Sequence, residues 1–370
     1  MRTRTYALSL ALVASFFVKG SAQTPASMPF DHMAQRIVDS LQVTKGERVL
    51  LRYDPETLGP LEPSVRQLFL QKGAVVDTLN YGPAADLQAR LDRTDIYVWL
   101  PAGPNAATAA DQREMLAKWL DAGKGRQIHF HWVGGTVDPD GRGGVHSAAF
   151  DKMYVDALDI DYKKLSAGQD KIIAKLRTGE VHVTTPAGTD IRFKVGDRPF
   201  NKQDGDASKA HVDQAKTRVD REVELPAGVI RVAPIETTAN GVLVVAQARL
   251  LNDAKATGIR LEFTNGKIVK ATAKTGEDAL KAFLASSPTL TSFREFCLGV
   301  NPKLVVPAGS AYLPYYGYGD AVVRMSLGDN TELAGAVRGG ASRWLFFPDT
   351  TVTVGDEKVV VNGRLAPAYR

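Results

Sequence analysis

The chain has 370 residues, of which 44% are hydrophobic and 24% charged, a composition that suits two globular domains and excludes a disordered chain. The formal net charge is +5, and Arg2, Arg4 and Lys19 supply three of those charges. The remaining basic residues are scattered rather than striped, which excludes a nucleic-acid footprint. One cysteine, Cys297, excludes an internal disulfide framework, and its apolar neighbours Phe296 and Leu298 point to a buried, inert thiol.

The chain starts with a pattern for export. Arg2 and Arg4 precede an apolar run from Ala7 to Val18, and Gly20-Ser21-Ala22 supplies small residues for a signal peptidase. Residues 1–22 are therefore expected to be a signal peptide cleaved after Ala22, with a periplasmic or secreted product, an uncleaved N-terminal anchor being the alternative. The run is too short for a comfortable membrane span, and no later stretch is long enough, so no span is expected in the mature chain.

The first half alternates strand and helix. A helix is expected over Asp31–Leu41, a strand over Arg48–Tyr53, and a helix over Pro63–Lys72 that stops at Gly73. A strand over Ala74–Leu79, a helix over Ala84–Arg93 and a strand over Ile96–Leu100 follow. Next come a helix over Ala106–Ala122 and a strand over Gln127–Val133. This alternation predicts an α/β fold, a doubly wound parallel sheet, as an N-terminal domain over residues 27–147. The Gly-, Pro- and Asp-rich stretch Gly134–Ser147 reads as a loop and a domain boundary.

The second half, residues 148–370, is expected to be a strand-rich α+β domain. A helix over Ala149–Leu165 opens it. Glu180–Thr185 and Thr189–Val195 flank Pro186-Ala187-Gly188 as a hairpin. Strands are expected over Val229–Ala233, Val242–Ala248 and Gly258–Phe263, with Asn265-Gly266 as a turn. A helix over Gly276–Leu284 and strands over Val322–Leu327, Trp344–Phe347 and Thr351–Val361 complete the reading.

Several motifs of this half, in order and spacing, resemble the aminopeptidase T (thermophilic leucyl aminopeptidase) family of metallopeptidases. They are Thr184 to Asp190 (TTPAGTD), Leu225-Pro226-Ala227-Gly228, Ala233-Pro234 with Ala239-Asn240-Gly241, Arg294-Glu295 with Leu298 to Pro302 (LGVNP), and Ser326 to Asn330 (SLGDN). In the first half, Lys45 to Leu50 (KGERVL) and Gly73-Ala74 are similar too. The resemblance implies a two-domain, homodimeric exopeptidase with two divalent metals, zinc, cobalt or manganese, in the C-terminal domain. Such a centre shares a bridging carboxylate and polarises both a water and the scissile carbonyl.

Placed against the family's ligand positions, the chain departs from the pattern. The metal-binding Glu after Leu-Pro-Ala-Gly falls on Val229. The Glu ahead of Gly-x-Asn-Pro falls on Glu295 and is kept. The His before x-Ala-Leu-Gly falls on Arg324, and the final His-x-Asp pair falls near Trp344 and Phe346. No histidine follows His211. Arg324 repels a cation and is expected to pair with Glu295 instead.

The expected protein is thus an exported, catalytically degenerate homologue with no cofactor, using the old cleft to bind a small molecule or peptide or for nothing detectable. The alternative is an active metal-dependent hydrolase with relocated carboxylates, Glu295, Asp320, Asp329 and Asp349. An aromatic stretch over Ala311–Asp320 makes Tyr315, Tyr316 and Tyr318, with Arg343 nearby, candidate ligand-binding residues. His129 and His131 lie two apart on one strand and face one side, where they could ligate one ion, although ordinary satisfied histidines are the favoured expectation. Gly134-Gly135 lacks nucleotide-loop spacing, and no Gly-x-Ser-x-Gly elbow exists.

Overall fold

A computed structural model describes residues 28–55, 59–81, 84–100, 110–131, 136–137, 148–305, 313–314 and 319–370. The first sheet is built from β1 (Arg48–Tyr53), β2 (Val75–Asn80), β3 (Ile96–Trp99), β4 (Arg126–Phe130) and a strand from far along the chain. Four helices interleave or precede them: α1 (Phe30–Leu41), α2 (Leu61–Gln71), α3 (Ala84–Leu91) and α4 (Ala110–Asp121). Strand β3 is buried throughout and β1 along four central residues, as sheets covered on both sides require.

The two faces of this sheet have different partners. Val49, Leu51, Ile96, Val98, Ile128 and Phe130 pack against Met33 and Ile37 of α1 and Val65 and Phe69 of α2. Leu50, Tyr97 and Trp99 pack on the opposite side against Leu87 and Leu91 of α3 and Leu116, Trp119 and Leu120 of α4. This is the doubly wound arrangement that the alternating pattern predicts.

The chain then passes through β5 (Thr136–Val137), α5 (Ala148–Leu158) and α6 (Tyr162–Leu176). The single helix expected over Ala149–Leu165 is therefore two. Asp161 breaks it, because its carboxylate accepts hydrogen bonds from the Lys163 and Lys164 amides and caps the second helix.

The remaining strands are β6 (Glu180–Thr184), β7 (Asp190–Lys194), β8 (Phe200–Gln203), β9 (Glu222–Leu225), β10 (Val229–Val232), β11 (Asn240–Arg249), β12 (Lys255–Thr264) and β13 (Lys267–Thr272). After them come β14 (Phe293–Gly299), β15 (Leu313–Pro314), β16 (Val323–Gly328), β17 (Ser342–Phe347), β18 (Thr351–Val354), β19 (Glu357–Val361) and β20 (Arg364–Leu365). A short helix, α7 (Lys209–Val212), follows β8, and α8 (Glu277–Ala285) follows β13. Asn265 and Gly266, at φ +49° and +76°, make the tight turn that their sequence announces between β12 and β13. The strand expected over Thr351–Val361 is instead a hairpin, β18 and β19, reversed at Gly355 with φ +61°.

Two antiparallel sheets result, in the orders β17-β16-β14-β10-β8 and β13-β12-β11-β7-β6-β18-β19-β20, and β15 pairs with β5. The parallel sheet reads β2-β1-β3-β4-β9. Its fifth strand comes from beyond residue 148, so the two halves of the sequence share a sheet. The Leu225-Pro226-Ala227-Gly228 motif carries the chain from β9 in one sheet to β10 in the other. Gly228 sits at φ +130°, and a Cβ there would lie 2.4 Å from the Asn301 Cβ, so this crossing point admits only glycine without displacement. Among the described residues, no helix is long and apolar enough to cross a membrane.

Candidate functional site

Strand registers place the residues expected at metal-ligand positions on one face. Arg231 of β10 lies opposite Cys297 of β14, which lies opposite Arg324 of β16, which lies opposite Phe346 of β17. Glu295 is opposite Ser326, and Ser326 opposite Trp344. Alternation along each strand adds Val229 to the same side. A register shift between Phe293 and Glu295 makes Arg294 an extra residue, which lets its side chain join that face too.

Glu295 is fully buried and surrounded by guanidinium groups. Its Oε1 accepts hydrogen bonds from Arg231 Nε at 2.6 Å and Arg324 Nη2 at 2.9 Å. Its Oε2 accepts from Arg294 Nη1 and, at 3.3 Å, from Ser326 Oγ. Glu332, on a short turn after β16, completes the network: its Oε1 accepts from Arg231 Nη2 at 2.5 Å and from Arg294 Nη2. Burial alone would push the Glu295 carboxyl up. Arg231, Arg324 and Arg294 outweigh that and hold it far below the carboxylate range. The same competition holds Glu332 down to about 2.

The other positions carry no metal-binding donor. Val229 is buried in the main core. Phe346 and Trp344 pack with Leu313 and Val322, and the Arg324 guanidinium lies 4.8 Å from the Trp344 ring centroid. A two-metal set therefore does not fit these residues. The acid lone pairs of Glu295 are taken up by cations, and a fixed positive charge stands at 324.

The relocated carboxylates do not assemble around Glu295. Asp329 accepts from the Thr331 amide and hydroxyl and from the Gly339 amide, which shapes a turn. Asp349 is exposed between β17 and β18. Asp320 lines a cleft of about 860 Å³ with Asp161, Lys164, Gln169, Arg364 and Arg370, and burial pushes its carboxyl up. Among the described residues, none of these four carboxylates belongs to a group of three or more potential metal donors. Arg343 is half-buried on β17 opposite Leu327. Tyr315, Tyr316 and Tyr318 lie outside the described residues, as does His146.

Cys297 is buried beside this network, and burial pushes its thiol up to about 11. Thiolate is the reactive form, so Cys297 is expected to resist alkylation by iodoacetamide at pH 8 and to react once urea unfolds the protein. Mass spectrometry with and without urea checks this, and rapid labelling of the folded protein would contradict it.

A second polar cluster stands on the parallel sheet. His129 on β4 is in register with Glu224 on β9, and Gln127 with Glu222. Parallel strands in register point paired residues the same way, so His129, His131, Glu222 and Glu224 converge on the α3/α4 side. Glu224 Oε2 contacts His131 Nε2 directly and lies 3.6 Å from His129 Nδ1. Glu222 Oε1 is 3.0 Å from His129 Nδ1. Burial, then the charge of Glu222, raises Glu224 to about 7 against the pull of His129, Arg231 and Arg324. The pair His129 and His131 is readable in the sequence. Their glutamate partners are not, because nothing in Glu222–Leu225 says that this strand joins β4. The signal available is the Glu-Val-Glu alternation, which sets two carboxylates on one face of a short strand.

Comparison with known proteins finds a family match over part of the chain and a shared fold over nearly all of it. Residues 155–306 match the thermophilic metalloprotease (M29) family, the group to which the aminopeptidase T resemblance points. Two solved structures share the fold. The 2,5-dihydroxypyridine dioxygenase from Pseudomonas putida KT2440 superposes with a TM-score of 0.60 at 16% identity, covering 91% of this chain and 97% of that one. Wild-type AmpT from Thermus thermophilus superposes with a TM-score of 0.54 at 14% identity, covering 91% of this chain and 99% of that one. No curated protein matches the chain.

Proposed function

We propose that this chain is an M29-type scaffold in which a buried ion-pair network stands where the two-metal peptidase centre would be, and that it does not hydrolyse peptides by two-metal chemistry at these positions. The observation that carries this reading is Glu295, held by Arg231, Arg294 and Arg324 and belonging, among the described residues, to no group of three or more potential metal donors. A two-metal hydrolase needs a carboxylate free to bridge two cations and further nitrogen or oxygen donors around them. Guanidinium groups occupy that role here with the same sign of charge as the metals. The cleft that Asp161, Lys164, Asp320, Arg364 and Arg370 line is the place proposed for a small-molecule or peptide ligand, since it offers both charge signs around apolar Val300 and Val322. Export rests on the N-terminal pattern, and a homodimer on the family resemblance.

Assay of the purified protein on amino-acid arylamides with added cobalt, zinc or manganese tests the reading. No turnover above that of metal alone is expected. Metal-stimulated turnover that disappears in Glu295→Gln would overturn it.

A further inference from the structure

From the convergence of His129, His131 and Glu224 at the ends of β4 and β9, we infer that these residues form a mononuclear site for a borderline divalent metal of the zinc class. One ligand atom from each lies within 4.8 Å of the other two. Two neutral imidazoles and a carboxylate are a donor set that first-row divalent metals accept, and three protein ligands leave a position for water or substrate.

Three features distinguish this cluster from an ordinary buried His–Glu pair. The two imidazole rings are 4.1 Å apart between centroids, so both cannot carry protons without repulsion, whereas one dication satisfies both lone pairs. The ligands stand on adjacent, hydrogen-bonded strands rather than on loops, and the His131 amide donates to the Leu225 carbonyl at 2.7 Å, which fixes their separation. Supporting groups are also in place. Glu222 Oε1 lies 3.0 Å from His129 Nδ1 and accepts from Gln127 Nε2 at 3.3 Å, and Trp99 meets the His129 ring edge-on at 4.3 Å. Glu222 thus faces the same His129 nitrogen that Glu224 does, beside the position of the ion, while the packed Trp99 ring fixes the imidazole plane.

The position suits a ligand as well. The cluster lies at the carboxyl ends of parallel strands, where open α/β sheets bind their ligands. Glu222 is 26% exposed and His129 17%, while His131 and Glu224 are nearly sealed, so an ion would enter past Glu222. Glu222 and Glu224 together match the charge of a divalent cation. This sheet does not carry the M29 metal positions, which lie on β10, β14, β16 and β17.

Chelator-treated protein titrated with zinc, and with cobalt for its visible bands, tests the site. One ion per chain is expected, with at least tenfold weaker binding in Glu224→Gln and His131→Asn and unchanged binding in His182→Asn, a histidine paired elsewhere with Asp190. Circular dichroism checks that the variants fold. Anomalous diffraction at the zinc edge from wild-type crystals gives a readout that needs no variant. A peak bonded to His129, His131 and Glu224 supports the site. A peak elsewhere, or a wild-type chain that binds no zinc, overturns it.

Discussion

Glu295→Ala is expected to lower the unfolding free energy by about 3–5 kcal/mol, the usual cost of removing one partner of a buried ion pair. The loss is large because three guanidiniums converge on that carboxylate. Without it, Arg231, Arg294 and Arg324 remain on one side of a buried sheet, where Glu332 pairs with Arg231 and Arg294. Ser326→Ala removes a single 3.3 Å hydrogen bond from the same carboxylate and should cost only about 1 kcal/mol. Urea denaturation of the two variants beside wild type measures the contrast. If Glu295→Ala unfolds at the wild-type midpoint, the network is not what holds these strands in place.

Acid should destabilise the same network in a defined window. Glu295 and Glu332 both have folded-state values below the ordinary 4.5. For a carboxyl depressed on folding, the added stability is fully present above the unfolded value and is lost as pH falls through the folded one. Stability should therefore fall steeply from about pH 4.5 towards pH 2. The Glu332 shift corresponds to about 3 kcal/mol by linkage, less whatever solvent screens at its exposed quarter. Glu332→Gln should roughly halve the slope that these two carboxyls supply between pH 4.5 and 2, because each is protonated in the unfolded chain and ionised in the folded one there, and the variant removes one of the two proton differences. Urea midpoints taken at steps between pH 6 and pH 2 provide the curve. A wild-type curve flat to pH 2.5 would contradict the assignment.

The parallel sheet was legible because both of its faces are covered by helices. Val49–Leu51 and Ile96–Leu100 are apolar without interruption, and the helices between them carry apolar residues three and four apart. The antiparallel half was less legible where strands bury charge. Strand β14, Phe293 to Gly299, is buried at every residue, yet two of its members are Arg294 and Glu295, so hydropathy does not announce it. The same burial of charge hid most of the ion-pair network. Glu295 and Arg324 stand out because the motif resemblance sets them against metal-ligand positions of a known family. Arg231 lies two residues beyond Val229 and was available by alternation alone. Arg294 reaches the network only through the register shift beside it, and Glu332 only through the turn after β16, neither of which residue spacing reveals.

Strand β9 also constrains how the protein is made. Glu222 lies 95 positions beyond Gln127, and all of that chain must arrive before β9 can lie beside β4. Until then β4 is an open edge, its amides and carbonyls available to any passing strand. A chain that pairs β1 to β4 before β9 is in place thus holds an unfinished sheet. Such long-range closure slows folding and favours chaperone engagement at that stage. Cutting the gene at the glycine-rich stretch would yield a fragment with a raw edge rather than an independent domain.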